Sequence, residues 1–262
     1  MLPAPAAPTP ASASLSQRLS QRIEEASLNA WPALHQVLHD GWVLRFCHGF
    51  TRRANSVSVL HAGTTPLDER IAFCERLYSG ANLPAIFRIA SNCPEPDLAA
   101  RLTARGYRAA DPTHVLYVAT QHYAEALVPR ALARDTWLDA YAALSDSPTQ
   151  TQRLHSLLLQ GIRLDALFAV LEADGAADGT IAACGLAVAQ ADLVGIFDVV
   201  TAVGRRRRGL GTQLVRGLLA WGASQGATTG YLQVVQTNGA ALKVYEALGF
   251  AHLHDYHYLC PN

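Results

Sequence analysis

The sequence predicts an α/β protein made of two tandem halves, each with a mixed, largely antiparallel sheet flanked by helices. Short runs of branched and aromatic residues alternate with segments whose apolar residues recur at helical spacing. The same order of helix, strand, asparagine, helix, glycine-aromatic pair and strand also occurs twice along the chain. A duplicated α/β unit is therefore the predicted organisation.

Each copy can be followed element by element. The first copy consists of a helix over 67–77, a strand over 85–90, Asn92, a helix over 96–104, Gly106-Tyr107 and a strand over 115–118. The second consists of a helix from Gly209, a strand over 231–235, Asn238, a helix over 240–248, Gly249-Phe250 and a strand over 256–259. The two copies predict the same succession of secondary structure.

Further strands are predicted upstream of each copy. In the first half they cover 41–46 and 54–60, and in the second they cover 167–171, 181–188 and 194–200. Short turns at Ala173-Asp174-Gly175 and Gln190-Ala191-Asp192 require antiparallel neighbours, whereas the following strand and helix predict a crossover. A mixed sheet follows for each half.

Three segments make up the predicted domain organisation. Residues 1–14 are rich in proline and alanine and predict a disordered tail. Residues 15–120 form the first domain and residues 121–262 the second, with the boundary just after Thr120.

Composition excludes several classes of protein. The chain has 262 residues, 16% of them charged, and its 21 basic residues balance 21 acidic ones. A neutral chain has no whole-protein attraction for nucleic acid or anionic membrane, so neither is an expected partner. No signal peptide and no apolar run long enough to span a membrane is recognised. The five cysteines show no Cys-x-x-Cys spacing and predict buried thiols in the reducing cytoplasm.

No metal is expected. The nearest approach to a histidine cluster, His252, His254 and His257, lacks the cysteine or carboxylate that accompanies a common zinc site.

The sharpest chemical signal is the segment 205–212, Arg-Arg-Arg-Arg-Gly-Leu-Gly-Thr. It follows a strand and opens an amphipathic helix, where unpaired N–H groups and the helix dipole bind anions. A dinucleotide fingerprint fails because Leu214 stands at its third glycine, and a Walker A loop fails because the sole lysine is Lys243. A solvated or nucleic-acid-binding arginine patch is the alternative to a phosphate cradle.

Arg206, Gly209 and Gly211 match the pattern Arg-x-x-Gly-x-Gly, which is followed by Asn238, Tyr245 and Gly249-Phe250. This combination resembles the GNAT superfamily of acyl-coenzyme A-dependent N-acetyltransferases over about residues 125–262. The resemblance implies a sheet whose two central strands part to admit the pantetheine arm of acetyl-coenzyme A.

The resemblance also implies site residues. Tyr245 would be the general acid, although plain core packing is its alternative, and Asn238 could serve only as a helix N-cap. The implied coenzyme-binding residues are Val199, Val200, Thr201, Arg206, Arg207, Arg208, Gly209, Leu210, Gly211, Thr212 and Asn238.

Two positions depart from the family pattern. Val203 replaces the usual proline of the loop, and Gln233 replaces the usual catalytic glutamate. An amide cannot accept a proton at neutral pH, so the base could be Asp198 or a water chain, or the amine could arrive neutral. For Asp198 a structural role is the alternative.

The first half lacks both the cradle and the acid. At the position of the arginine-glycine loop, Pro66 removes an N–H donor, and Asp68 and Glu69 at the helix start would repel phosphate. Leu102 stands where the second copy has Tyr245. This half resembles the degenerate domain of tandem GNAT proteins. Its polar and aromatic residues allow two interpretations. Trp42, Arg45 and Asn55 could shape an acceptor pocket near the cleft between the halves, or the tryptophans are buried and the arginines lie on the surface.

The leading functional hypothesis is an enzyme that transfers an acetyl group from acetyl-coenzyme A to a primary amine of a small molecule or peptide. The alternatives are a non-catalytic acyl-coenzyme A sensor, which the missing glutamate favours, and a nucleic-acid-associated protein anchored by the arginines.

Overall fold

A computed structural model describes residues 10–172 and 179–262 of the chain. The helices in this part are α1 (Pro10–Ala30), α2 (Leu67–Gly80), α3 (Leu98–Ala104), α4 (Arg134–Ser145), α5 (Thr149–Gln160), α6 (Leu210–Ser224) and α7 (Gly239–Ala247). The strands are β1 (His35–His39), β2 (Trp42–Phe46), β3 (Val57–Val59), β4 (Phe87–Ala90), β5 (Arg108–Ala119), β6 (Arg130–Ala131), β7 (Asp165–Glu172), β8 (Ile181–Gln190), β9 (Leu193–Thr201), β10 (Thr229–Val235) and β11 (Ala251–Cys260).

Two sequence predictions fall wholly or partly outside the described residues. The turn at Ala173-Asp174-Gly175 lies there, as do residues 1–9 of the predicted tail. Helix α1 begins at Pro10, so the last five residues assigned to the tail are helical instead. Of the described helices, none combines the length and the apolar character needed to cross a membrane.

All eleven described strands form one sheet, in the order β1-β2-β3-β4-β11-β5-β10-β9-β8-β7-β6. Pairing is parallel between β3 and β4 and between β9 and β10, and antiparallel at every other junction. The parallel junctions stand at equivalent places in the two copies, each crossed by a helix, α2 or α6. The predicted mixed α/β architecture with an internal repeat is confirmed.

The two copies exchange their last strands. Strand β4 of the first half pairs with β11 of the second, where Phe87 lies opposite Leu259. Strand β10 of the second half pairs with β5 of the first, where Leu232 lies opposite Leu116. Strands β5 and β11 pair with each other at the centre. The halves thus share one continuous sheet, and the proposed boundary after Thr120 follows the exchanged strand β5.

The sheet is covered on both faces. Over the second half, α6 buries Leu214 and Leu218 against one face, together with Leu232 and Val234 of β10. On the opposite face, α1, α4 and α5 enclose an aromatic core that includes Trp31 and Trp137. Helix α1 comes from the first half but contacts β8, β9 and β11. It therefore lies across the junction between the copies.

His252 and His254 have different carboxylate partners in the structure. His252 Nε2 donates to Asp255 Oδ1 (2.7 Å), and His114 Nδ1 of β5 donates to the same oxygen (2.6 Å), at the sheet surface. His254 is buried and pairs with Glu24. In a regular strand His252 and Asp255, three residues apart, would point to opposite faces. The register shift between His252 and His254 brings the two side chains together, and the sequence pattern does not reveal it. All five cysteines are free thiols, and Cys47, Cys74 and Cys184 are buried.

A buried charge network ties α1 to the sheet. Glu24 accepts hydrogen bonds from Arg88 Nη2 (2.9 Å), and its Oε1 lies 2.7 Å from His254 Nε2. Burial alone would raise the pKa of Glu24, but the charge and hydrogen bonds of Arg88 and His254 lower it to about 2. The ionised form is therefore stabilised by folding.

Replacing Glu24 with glutamine is expected to lower the free energy of unfolding at pH 7 by about 3–5 kcal/mol, because Arg88 would remain buried without its counter-charge. A carboxylate whose folded pKa is depressed contributes stability above its ordinary pKa of 4.5 and loses it as the pH falls toward about 2. Urea unfolding should show the difference from the wild type shrinking over that range. Exposed Glu25→Gln is the control, and a difference that does not change with pH would contradict the prediction.

Candidate active site

The two parallel strands β9 and β10 part in the middle of the second half. Their pairing runs from Leu193–Thr229 to Ile196–Leu232 and then ends. Beyond this point β9 continues to Thr201 beside β8, and β10 continues to Val235 beside β5. The backbone edges that face each other past Ile196 and Leu232 therefore have no strand partner, which leaves them open to an extended ligand.

A cavity of about 800 Å³ opens at this split. Its volume lies in the range typical of small-molecule and cofactor sites. It is lined by Val199, Val200, Thr201, Arg205, Arg206, Arg207, Gly209, Leu210, Gly211, Thr212, Asn238, Ala240, Ala241, Val244 and Tyr245. The end of β9, the arginine-glycine loop and one face of α7 thus form its walls.

The loop ends in a backbone conformation that requires glycine. Gly209 has φ +78° at the N-cap of α6, and a Cβ there would meet no neighbouring atom. The left-handed conformation, rather than lack of space, therefore explains glycine at this position. The N–H groups of the first helical turn, at Leu210, Gly211 and Thr212, have no carbonyl partner within the helix and lie at the cavity.

The arginines beside these N–H groups add uncompensated positive charge. Of the carboxylates in the described ranges, none forms an ion pair with Arg205, Arg206, Arg207 or Arg208. Arg206 donates from Nε to the Thr201 carbonyl (3.3 Å), which holds the loop against the end of β9. Helix dipole and guanidinium groups together define an anion site.

Helix α7 supplies the opposite wall. Asn238 caps it, because its side-chain oxygen accepts a hydrogen bond from Ala241 N (3.2 Å). One and two turns further on, Ala241 and Tyr245 share the face toward the cavity. The Tyr245 ring packs edge-on against Phe250 at 5.6 Å. Burial raises the pKa of the Tyr245 hydroxyl to about 12, so it carries its proton at neutral pH.

The structure brings together every sequence-predicted site residue except Arg208, which does not line the cavity. Sequence reasoning missed Arg205, Ala240, Ala241 and Val244. Helical spacing could have found Ala241, since it lies four residues before Tyr245 on the same face. Val203, at the position of the family's proline, begins a 3-10 turn and is 72% exposed.

A β-bulge shapes the wall at β9. Cys184 faces Val200 and Leu186 faces Phe197, so Asp198 and Val199 lie opposite a single residue of β8. Asp198 has φ +50°, and its Oδ2 lies 2.8 Å from His155 Nε2 in a buried pair. The hydrogen bond favours the structural interpretation of Asp198, in which the side chain holds the bulge in place.

Gln233 lies on the face of β10 opposite the cavity, toward α1. Its amide nitrogen donates to Ser27 Oγ (3.0 Å), and its amide oxygen accepts from the Tyr256 hydroxyl (3.0 Å). The residue at the position of the family glutamate therefore connects α1, β10 and β11.

The equivalent loop of the first half is filled by the protein's own carboxylates. Asp40 accepts hydrogen bonds from the backbone N–H groups of Thr64 and Thr65 (2.8 Å each), and Glu95 accepts from Gly63 N (2.7 Å). These N–H bonds lower the pKa of Asp40 to about 2. Asp40 and Glu95 occupy the donors that a phosphate would need, in addition to the repulsion expected from Asp68.

Trp42, Arg45 and Asn55 are all buried within the first half, and they do not line one common cavity: Arg45 borders a crevice from which Trp42 and Asn55 are absent. Trp42 belongs to the core of α2 and α3, beneath Arg70. Arg45 is not a surface residue as the sequence suggested, since it donates to the backbone carbonyls of Arg53, Leu28 and Trp31. The Asn55 amide binds four backbone groups of the loop over 47–51.

Parted parallel strands beside an arginine-glycine helix start define an acyl-coenzyme A N-acyltransferase of the GNAT type. Similar solved structures include a GCN5-related N-acetyltransferase from Kribbella flavida, at 19% identity and TM-score 0.66, covering 93% of this chain and 95% of that one. A tandem GNAT protein from the clavulanic acid biosynthesis pathway has 15% identity and TM-score 0.61, covering 78% and 74%.

The family model described as "Probable histone acetyltransferase Rv0428c C-terminal" matches residues 20–259, and the chain belongs to this family. The probable histone acetyltransferase Rv0428c of Mycobacterium tuberculosis is 30% identical over 239 residues, covering 90% of this chain and 72% of that protein. The uncharacterized N-acetyltransferase YobR of Bacillus subtilis is 25% identical over 255 residues, covering 91% and 97%.

Proposed function

We propose that the protein transfers an acetyl group from acetyl-coenzyme A to a primary amine of a small molecule or peptide. The observation that carries the proposal is the cavity at the parted strands, which has an anion site at one end and Tyr245 on its wall. A coenzyme molecule needs both an anchor for its pyrophosphate and an opening for its thioester arm.

The proposed binding mode uses backbone groups more than side chains. The pyrophosphate binds the N–H groups of Gly211 and Thr212 and the guanidinium groups of Arg206 and Arg207. The pantetheine arm then runs along the free edge of β9 at Val199–Thr201, as an additional strand would.

The proposed reaction is direct acyl transfer. The amine nitrogen attacks the thioester carbonyl carbon, a C–N bond forms, and the C–S bond breaks with its electron pair on sulfur. The Tyr245 hydroxyl protonates the departing thiolate, and the phenolate regains its proton from water. Since Asp198 is engaged with His155, we assign the proton lost by the amine to water rather than to Asp198.

The test is a screen of amines, amino acids and peptides for thiol release that depends on acetyl-coenzyme A. Desulfo-coenzyme A serves as the competitor, because it can occupy the cavity but lacks the sulfur that carries the acetyl group. Acceptor-dependent thiol release that desulfo-coenzyme A suppresses is the expected result. The absence of release with every acceptor would overturn the proposal.

Gln233 favours a second candidate, a sensor that binds acyl-coenzyme A without turnover. Its amide cannot accept a proton at neutral pH and is held by hydrogen bonds at both ends, so it does not replace the family glutamate as a base. Coenzyme binding without thiol release would support the sensor. A steep salt dependence of nucleic-acid binding would instead support the third hypothesis, which the balanced charge of the chain disfavours.

We expect the protein to act in the cytoplasm. Its five cysteines are all free thiols, which suits a reducing compartment.

A further inference from the structure

Arg53 occupies an unusual place at the junction of the two halves. It belongs to the 3-10 turn Arg52–Ala54 between β2 and β3. Its guanidinium carbon lies 4.9 Å from the centre of the Trp31 ring and 6.0 Å from that of Phe197. Trp31 and Arg53 come from the first half, whereas Phe197 belongs to β9 of the second. The side chain therefore reaches from one copy to the strand that borders the split.

Among the described residues, Arg53 has no ion-pair partner. Throughout the described parts of the chain, no carboxylate pairs with it, and its side chain donates no hydrogen bond to a described residue. Its neighbours differ: Arg52 pairs with Asp111, Arg88 pairs with Glu24, and Arg45 binds backbone carbonyls. Arg53 is also partly buried. A partly buried guanidinium that no described protein group binds is available to an anion.

Arg53 lies on the α1 face of the sheet, opposite the coenzyme cavity. It borders a crevice of only about 10 Å³ together with Gln233, and the other residues there are Glu24, Ser27, Leu28, Arg45 and Arg88. Gln233 faces α1, whereas its neighbours Leu232 and Val234 pack on the α6 side where the coenzyme cavity lies. Phe197 is the first residue of β9 beyond its last pair with β10. The crevice and the cavity thus approach the split from opposite faces of the sheet.

The electrostatic reach of Arg53 agrees with this position. Burial raises the pKa of Tyr231 on β10, and the positive charge of Arg53 opposes that rise. For Tyr141 on α4, burial and the charge of Asp198 raise the pKa, and Arg53 again opposes them. The only carboxylate in the crevice lining, Glu24, is already neutralised by Arg88 and His254. An anion at the mouth of this crevice would meet net positive charge.

We infer that Arg53 binds a carboxylate of the acceptor, so that the preferred substrate is an amine that also carries a carboxylate, such as an amino acid. The inference rests on the proposed acetyl transfer. A planar guanidinium matches a carboxylate with two parallel hydrogen bonds, and the Trp31 ring beneath it restricts its orientation. A carboxylate held on this face would direct the attached amine toward the thioester arriving from the other face.

The test compares pairs of acceptors that differ in one group, an amino acid and its amide. The wild type is expected to use the acid more efficiently, with a ratio of kcat/KM on the order of 10- to 100-fold. Arg53→Met should reduce this ratio to about one, mainly by raising KM for the acid, and Arg53→Lys should keep part of it. Arg52→Met is the matched control, since Arg52 is adjacent, exposed and paired with Asp111; it should leave the ratio unchanged.

Two outcomes would overturn the inference: equal use of acid and amide by the wild type, or a preference for the acid that survives in Arg53→Met. Melting temperature and coenzyme affinity should be those of the wild type in Arg53→Met, and Arg53→Lys provides a second variant if they are not. If no acceptor supports thiol release, the proposed acetyl transfer fails separately. Calorimetry of the coenzyme A-bound protein with an N-acetyl amino acid and its amide then decides for Arg53: selective binding of the acid that Arg53→Met removes supports the site, and equal or undetectable binding overturns it.

Discussion

Replacing Gly209 and Gly211 together with aspartate is expected to weaken coenzyme A binding by more than about 100-fold. Two carboxylates would stand at the positive end of α6, where they would repel the pyrophosphate and accept hydrogen bonds from the N–H groups that we assign to it. The residue at position 209 would in addition have to adopt φ +78°. Calorimetry should find one site per wild-type chain and no measurable site in the variant.

Gly226→Asp is the matched control. Gly226 has φ +88° and open space around its Cα, so the substitution carries the same backbone penalty outside the cavity. Its coenzyme affinity should equal that of the wild type. A coenzyme site that survives in the double variant would contradict the location of the cradle. A second coenzyme site per chain would also contradict it, because Asp40 and Glu95 occupy the equivalent loop of the first half.

Tyr245→Phe is expected to lower kcat on the order of 100-fold or more while coenzyme affinity changes little. The substitution removes the hydroxyl that we assign to thiolate protonation but keeps the ring that packs against Phe250. The pKa of about 12 means that the wild-type hydroxyl donates throughout the neutral range. Steady-state kinetics with a neutral and a carboxylated acceptor, together with calorimetry, would measure both quantities.

Tyr107→Phe provides the comparison for Tyr245→Phe, because Tyr107 is a buried tyrosine of the first half that donates to Glu75. It should affect stability without lowering kcat. Wild-type turnover in Tyr245→Phe would remove the acid assignment and shift the balance toward the sensor.

Local patterns predicted the parts of the site that are themselves local. The cradle depends on consecutive residues, Gly209 to Thr212, whose N–H groups are unpaired because they begin a helix. The face of α7 depends on the four-residue spacing between Ala241 and Tyr245. Such features follow from the sequence alone since no distant residue is needed to form them.

The contacts of the site between segments distant in sequence could not be predicted. Gln233 meets Ser27 across 206 residues, and Arg53 meets Phe197 through the packing of one half on the other. The sequence draws attention to Arg45 beside Trp42 and gives no comparable signal for Arg53. Hydrophobic patterning does not distinguish an arginine bound to buried carbonyls from one whose guanidinium is unpaired.

The strand exchange could not be predicted either, because a repeated pattern identifies the strands but not their pairing partners.

The strand exchange has a consequence for residues 121–262 expressed alone. Without β5, strands β10 and β11 would lose the strand that joins them. We therefore expect that fragment to lose coenzyme binding as well as turnover unless residues 108–119 are supplied with it, which circular dichroism and calorimetry would test.

The exchange also orders events during synthesis. Of the described strands, β11 is the last to be synthesised, yet it fills the gap between β4 and β5, which precede it by more than 130 residues. Until it arrives, two strand edges of the nascent chain remain unpaired, and such edges invite pairing with other chains. The closing step thus joins residues far apart in sequence, a slow kind of contact to form. Completion of the first copy is coupled to completion of the second. A chain that stops before residue 251 therefore lacks the strand that pairs with both β4 and β5, and the sheet is incomplete in both copies.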